Sequence, residues 1–97
     1  MMVVVAYDVN TETPQGRSRL RRVAKVCTKY GQRVQNNSVF ECTVTPSDLL
    51  VLKHGLTEII DTDCDSLRFY NLGAKYSNRI EHIGVQRHLP NDEVMMV

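Results

Sequence analysis

The chain has 97 residues, 42% hydrophobic and 24% charged, with a formal net charge of +1. That size fits one domain over residues 1–97, and the balance excludes a disordered or fibrous chain. The opening apolar run is too short to span a membrane, and without a basic n-region or a small-residue cleavage site it does not read as a secretory leader.

Residues 2–7 (MVVVAY) are continuously apolar and β-branched, which predicts a strand buried on both faces and central in its sheet. The strand ends at Asp8, and Asn10 to Pro14 read as a polar loop. Residues 16–30 predict a helix: Leu20, Val23, Ala24, Cys27 and Tyr30 share one face, and Gly31 is a natural stop. On that helix Arg17, Arg21, Arg22, Lys25 and Lys29 take the opposite half, with Arg19 near the border.

Residues 33–44 read as strand, interrupted at Asn36-Asn37, where Asn tolerates a turn, bulge or sharp bend. Thr45-Pro46-Ser47-Asp48 is a helix start: Thr caps, Pro suits the first helical position, and Asp favours the positive end of the dipole. Leu49, Leu52, Leu56, Ile59 and Ile60 then line one face of a helix to about Asp61. Residues 66–72 form another strand, and residues 80–89 a last one with Ile83, Val85 and Leu89 on one face. The tail ends in the apolar patch Val94-Met95-Met96-Val97. The order is β-α-β-β-α-β plus a C-terminal strand, an α+β, ferredoxin-like arrangement.

From Thr13 to Phe40 there are seven basic residues and no acid, whereas from Glu41 to Asp65 there are six acids against one Lys. Such asymmetry implies one basic and one acidic surface. Ordinary solvated helix faces mix signs, so the acid-free run points to nucleic acid or another acidic partner. Asp8 closes a central strand, a favoured place for functional side chains, and a carboxylate there suits magnesium; the plainer reading is a turn aspartate.

Cys27, Cys42 and Cys64 form no C-x-x-C, and His54, His82 and His88 show no metal-ligand spacing with them. This argues against a disulfide framework and a structural zinc site, and reduced thiols suit a cytoplasmic location with no membrane partner. Cys42 reads as a core thiol and Glu41 as a strand-exposed acid. No Ser-His-Asp order, Walker loop or dinucleotide loop is present. Tyr7, Tyr70 and Tyr76 suit base stacking, yet an aromatic fraction of 6% gives no interleaved platform.

Four segments taken in order, VVVAYDV, GRSRLRRVAKV, YGQRVQ followed by SVFEC, and SLRFYNLG, resemble the CRISPR-associated "Cas two" family, and type I-C members above all. The resemblance covers residues 2–90. It implies a symmetric homodimer with facing sheets, in which the segment 80–97 crosses to extend the partner's sheet. It implies a magnesium-dependent endonuclease acting on RNA or DNA, magnesium or another divalent cation being held by Asp8, the catalytic residue, and its twin. It also implies an adaptation protein that bridges the CRISPR integrase, with double-stranded DNA and single-stranded RNA as nucleic-acid partners. By the same resemblance Arg17, Arg19, Arg21, Arg22, Lys25 and Arg33 bind the backbone, and Tyr7, Ser38 and Phe40 shape the site or the dimer core. The family has one residue between the Gln and SVF where this chain has Asn36 and Asn37, and one extra residue flips strand facing unless a bulge absorbs it. Two other classes fit a ferredoxin-like chain: a small-ligand regulatory domain, and a ribonuclease toxin that needs no integrase.

Overall fold

Met2–Asp8 forms β1, the middle of the molecule, because six consecutive apolar or aromatic side chains leave no residue that prefers water until Asp8. The computed structural model describes residues 1–34 and 38–85. Around β1 stand α1 (Pro14–Thr28), β2 (Gly31–Arg33), β3 (Val39–Thr43), α2 (Pro46–Ile59) and β4 (Ser66–Gly73), followed by a 3₁₀ turn over Tyr76–Arg79. The sheet order is β2-β3-β1-β4, antiparallel at every junction. This is the expected ferredoxin-like α+β fold.

Helix α1 starts two residues before the periodicity alone suggests. Thr13 caps it, its hydroxyl accepting from the Gly16 N–H at 3.0 Å, and Pro14 opens the first turn. The helix ends at Thr28 with Lys29 as its cap, so Gly31 is not the stop. Gly31 instead opens β2, where a Cβ would collide with the Glu41 carbonyl oxygen of β3. Close backbone approach, rather than helix termination, requires glycine there. Helix α2 begins as the sequence predicts, with a reciprocal capping box between Thr45 and Asp48, and stops at Ile59.

Both helices cover the same face of the sheet, as right-handed crossovers require. Val3, Val5 and Tyr7 of β1 meet Phe40 and Cys42 of β3 and, from the helices, Val23, Cys27, Leu52 and Leu56. Helix α2 turns Leu49, Leu52 and Leu56 inward and leaves Leu50 and Val51 exposed. The expectation that β1 is buried on both faces is corrected. The strand is central, but within this chain Val4 and Ala6 lie half-buried on a face that no helix covers.

The stretch 33–44, expected as strand interrupted at Asn36-Asn37, is two strands, β2 and β3, with β2 starting two residues earlier at Gly31; the Asn36-Asn37 break itself lies outside the described residues. Of the last strand expected over 80–89, Ile80 to Val85 forms no strand within the chain. The rest of that strand and the apolar tail lie outside the described residues. No described helix is long and apolar enough to cross a membrane.

Candidate active site and nucleic-acid surface

Side chains alternate along a strand, so the residues facing away from the helices follow from the register. Asp8 pairs with Ser66, Ala6 with Arg68, and Val4 with Tyr70. These residues place one carboxylate at the end of β1 and one guanidinium two positions back on β4. A shallow cleft of about 280 Å³ is lined by Ala6, Asp8, Ser66, Arg68 and Tyr70 among others. Arg68 donates to the Tyr70 hydroxyl at 3.1 Å and lies 5.9 Å from that ring's centroid. The Asp8 side chain is exposed and makes no hydrogen bond or ion pair with the described residues.

Among the described residues no three His, Cys, Asp or Glu side chains gather to hold a metal. Magnesium asks for less, being held by one or two carboxylates with water completing its shell. Asp8 supplies the right donor, a hard carboxylate oxygen open to solvent, and one chain supplies it once.

Behind this face lies an aspartate that sequence reading missed. Asp65, immediately before β4, has a side chain wholly enclosed, and it accepts from the Asn10 N–H at 2.9 Å and the Asp61 N–H at 2.9 Å. Arg19 Nε donates to it at 2.8 Å. The Arg19 guanidinium and these backbone donors hold the Asp65 carboxyl well below the usual carboxylate range, against the opposing effect of burial. Asp65 thereby ties the loop leaving Asp8 to the loop entering Ser66. The available signal was the border position of Arg19 on its helix, since a basic residue between the two faces can reach inward.

That pair removes Arg19 from the open basic surface where it was expected. Arg17, Arg21, Arg22 and Lys25 are exposed on the outer side of α1, Arg17 also donating to the Thr11 carbonyl at 3.2 Å. Because α1 packs on the face opposite Asp8, the structure does not bring the basic residues and the carboxylate together within one chain. Arg33 lies apart from the outer row, its guanidinium 5.3 Å from the Phe40 ring centroid. Tyr7 and Phe40, stacked at 6.2 Å, are buried under the helices in the chain's own core, behind the sheet face that carries Asp8. The Ser38 carbonyl accepts from the Tyr7 N–H at 3.0 Å, continuing the β1–β3 pairing toward Asp8. Cys27 and Cys42 are core thiols as expected, pushed by burial up to about 12 and about 11.

Comparison with known proteins gives one consistent answer. Residues 1–80 match the model of the family described as CRISPR associated protein Cas2. The CRISPR-associated endoribonuclease Cas2 of Chlorobaculum tepidum is 56% identical over 86 residues, which is 89% of this chain and 88% of that one. The CRISPR-associated endonuclease Cas2 of Halalkalibacterium halodurans is 54% identical over 86 residues, with the same coverage of 89% and 88%. The crystal structure of Streptococcus pyogenes Cas2 at pH 6.5 superposes with a TM-score of 0.74 at 61% identity, covering 87% of this chain and all of that one.

Proposed function

The chain belongs to the CRISPR-associated Cas2 family, and on that premise we propose that it is a divalent-cation-dependent endonuclease that also binds DNA and bridges the integrase in spacer acquisition. The observation that carries the nuclease reading is Asp8: an exposed carboxylate without a partner among the described residues, at the end of the central strand, on a sheet face no helix covers.

Two chains related by a twofold axis through the open faces bring two Asp8 side chains together. They are the residues that hold magnesium, and one carboxylate from each chain meets what that ion takes from protein. When bound, the cation lowers the pKa of a water and offsets charge on the phosphoryl oxygens. Arg68, on the same face, offers its guanidinium to the phosphodiester as a second positive group. The Arg19–Asp65 tie fixes the two loops beside Asp8 and so holds the carboxylate in place.

DNA binding belongs to the other layer. The exposed row Arg17, Arg21, Arg22 and Lys25 follows a phosphate backbone, and its separation from Asp8 by the sheet suits a subunit that holds duplex independently of cutting. The integrase contacts the same duplex, and reduced thiols fit a cytoplasmic setting.

The deciding experiment compares wild type and Asp8→Asn on single-stranded RNA and on duplex DNA, with magnesium or with chelator. Cleavage by the wild type should need the cation, and the variant should lose at least about a hundredfold in rate while still binding duplex. A variant that cuts at the wild-type rate overturns the assignment.

A further inference from the structure

We propose that the cleft between α1 and the outer edge of the sheet is a binding pocket for a terminal phosphomonoester. The cleft has a volume of about 290 Å³ and is lined by Tyr7, Leu20, Arg21, Ala24, Arg33 and Ser38. It lies on the helix side of the sheet and shares neither Asp8 nor Arg68 with the cleft described above.

Arg33 carries the inference. Its guanidinium rests 5.3 Å from the Phe40 ring centroid, and that ring is fully buried, so the group is held in one place. Its Nε is buried and has no hydrogen-bond partner among the described residues. A buried donor on a charged group without an acceptor is costly, and because Arg33 also lines the cleft, an anion entering there would offset that cost. Arg21 lines the same cleft and is exposed on α1, which puts a second guanidinium at its mouth. Among the described residues no carboxylate lines it. Two planar forks without a counter-charge match the several oxygens of one phosphate group.

The remaining surface is apolar, from Leu20, Ala24 and the Tyr7 ring, and gives a sugar or base edge something to rest on. The volume is at the small end for ligand pockets, enough for a phosphate and little more. Shape separates a terminal phosphate from an internal one. A duplex backbone tracking the exposed outer row of α1 would pass over this cleft, whereas a strand end or a free mononucleotide can enter it. For the strand end this rests on the nucleic-acid reading above; for the mononucleotide it does not.

The test uses the full chain. The Arg33 Nε–H resonance is followed by NMR at pH 6.5 while inorganic phosphate or adenosine monophosphate is added. In parallel, duplexes of one sequence, with hydroxyl or phosphorylated ends, are compared for affinity. Both small anions should shift the resonance, and phosphorylated ends should bind about tenfold tighter than hydroxyl ends, an advantage lost in Arg33→Gln. Should that variant fail to fold, Arg21→Gln, on an exposed helix position, should cut the advantage several-fold. A resonance that shifts with the mononucleotide while neither duplex binds keeps the pocket, assigns it to free nucleotides and removes the DNA reading. An unmoved resonance with equal affinity for both duplexes overturns the pocket and leaves DNA binding by α1 intact.

Discussion

Arg19 and Asp65 sit 46 positions apart and meet at 2.8 Å, Nε to Oδ2, with the aspartate side chain fully enclosed. The contact joins the first helix to the loop before the last strand, and through the Asn10 and Asp61 N–H groups it fixes both loops at the end of the sheet where Asp8 stands. Its consequence for stability has a definite sign. The folded carboxyl titrates below its ordinary value of 3.8, so the stabilisation is complete above that value and is lost as the pH falls below it. Asp65→Asn should therefore unfold at lower urea than wild type at pH 7, and the gap should narrow between pH 4 and pH 3. Urea midpoints at the three pH values check this; a gap independent of pH would sink the ion-pair account.

The same pair separates Arg19 from its neighbours in binding. Replacing Arg17, Arg21 and Arg22 with Ala should flatten the slope of log affinity for duplex DNA against log salt by roughly two to three units, at about 0.9 per lost phosphate contact. Arg19→Ala, judged on protein shown by circular dichroism to be folded, should leave that slope unchanged because its guanidinium already serves Asp65. Equal flattening by Arg19→Ala and by Arg21→Ala would put Arg19 back on the DNA surface.

The sequence made the layer order legible and hid the ties between layers. Periodicity placed both helices, and Thr45 with Asp48 announced the second one, because capping is local chemistry written within four residues. The sequence overstates the burial of β1 because MVVVAY carries no polar residue on the uncovered face, so covered and uncovered positions look alike in one dimension. Gly31 looks like a helix stop in sequence for a similar reason: the Glu41 carbonyl that forbids a side chain there is ten residues away. Asp8 stood out by position alone, whereas Arg33 and Arg19 could not be told from the other basic residues until Phe40 and Asp65 were seen beside them.

Gly31 offers a direct check on the sheet edge. An Ala there puts its methyl into the Glu41 carbonyl, and backbone on both sides leaves nothing flexible to yield. Gly31→Ala should cost about 1–3 kcal/mol in chemical unfolding, as overpacking does. It should also weaken amide protection in β2 before it affects β4. Unchanged stability would mean that β2 does not lie this close to β3.

Thiol chemistry reports on the core. Burial pushes Cys27 up to about 12 and Cys42 up to about 11, while exposed Cys64 is raised by partial desolvation and by Asp61 and Asp65. At pH 8 a water-soluble disulfide reagent should titrate one thiol in the native chain, more slowly than free cysteine, and all three in denaturant. Two or more thiols reacting at once in the native protein would contradict the packing around Phe40.

The uncovered sheet face makes the strongest demand on assembly. Val4 and Ala6 are half-buried there, Asp8 lies at its end, and beyond the 3₁₀ turn Ile80, Ile83 and Val85 are exposed. Exposed apolar groups in such number on a small domain mark an interaction surface. On the proposed reading a second copy packed on this face would cover Val4 and Ala6, and its C-terminal segment would pair along the free edge of β4. Such an arrangement would also couple assembly to the cation, because two facing Asp8 carboxylates would repel unless a divalent ion sat between them. Light scattering at micromolar concentration should therefore find a dimer, and magnesium should tighten it in the wild type and not in Asp8→Asn. Deleting residues 80–97 should weaken association by about tenfold or more, the effect of losing even one buried apolar side chain worth about 1.5–3 kcal/mol. A monomeric wild type, or a shortened chain that dimerises as well as the full one, would rule out the crossed-strand dimer, and with it the pairing of carboxylates on which cleavage is proposed to depend.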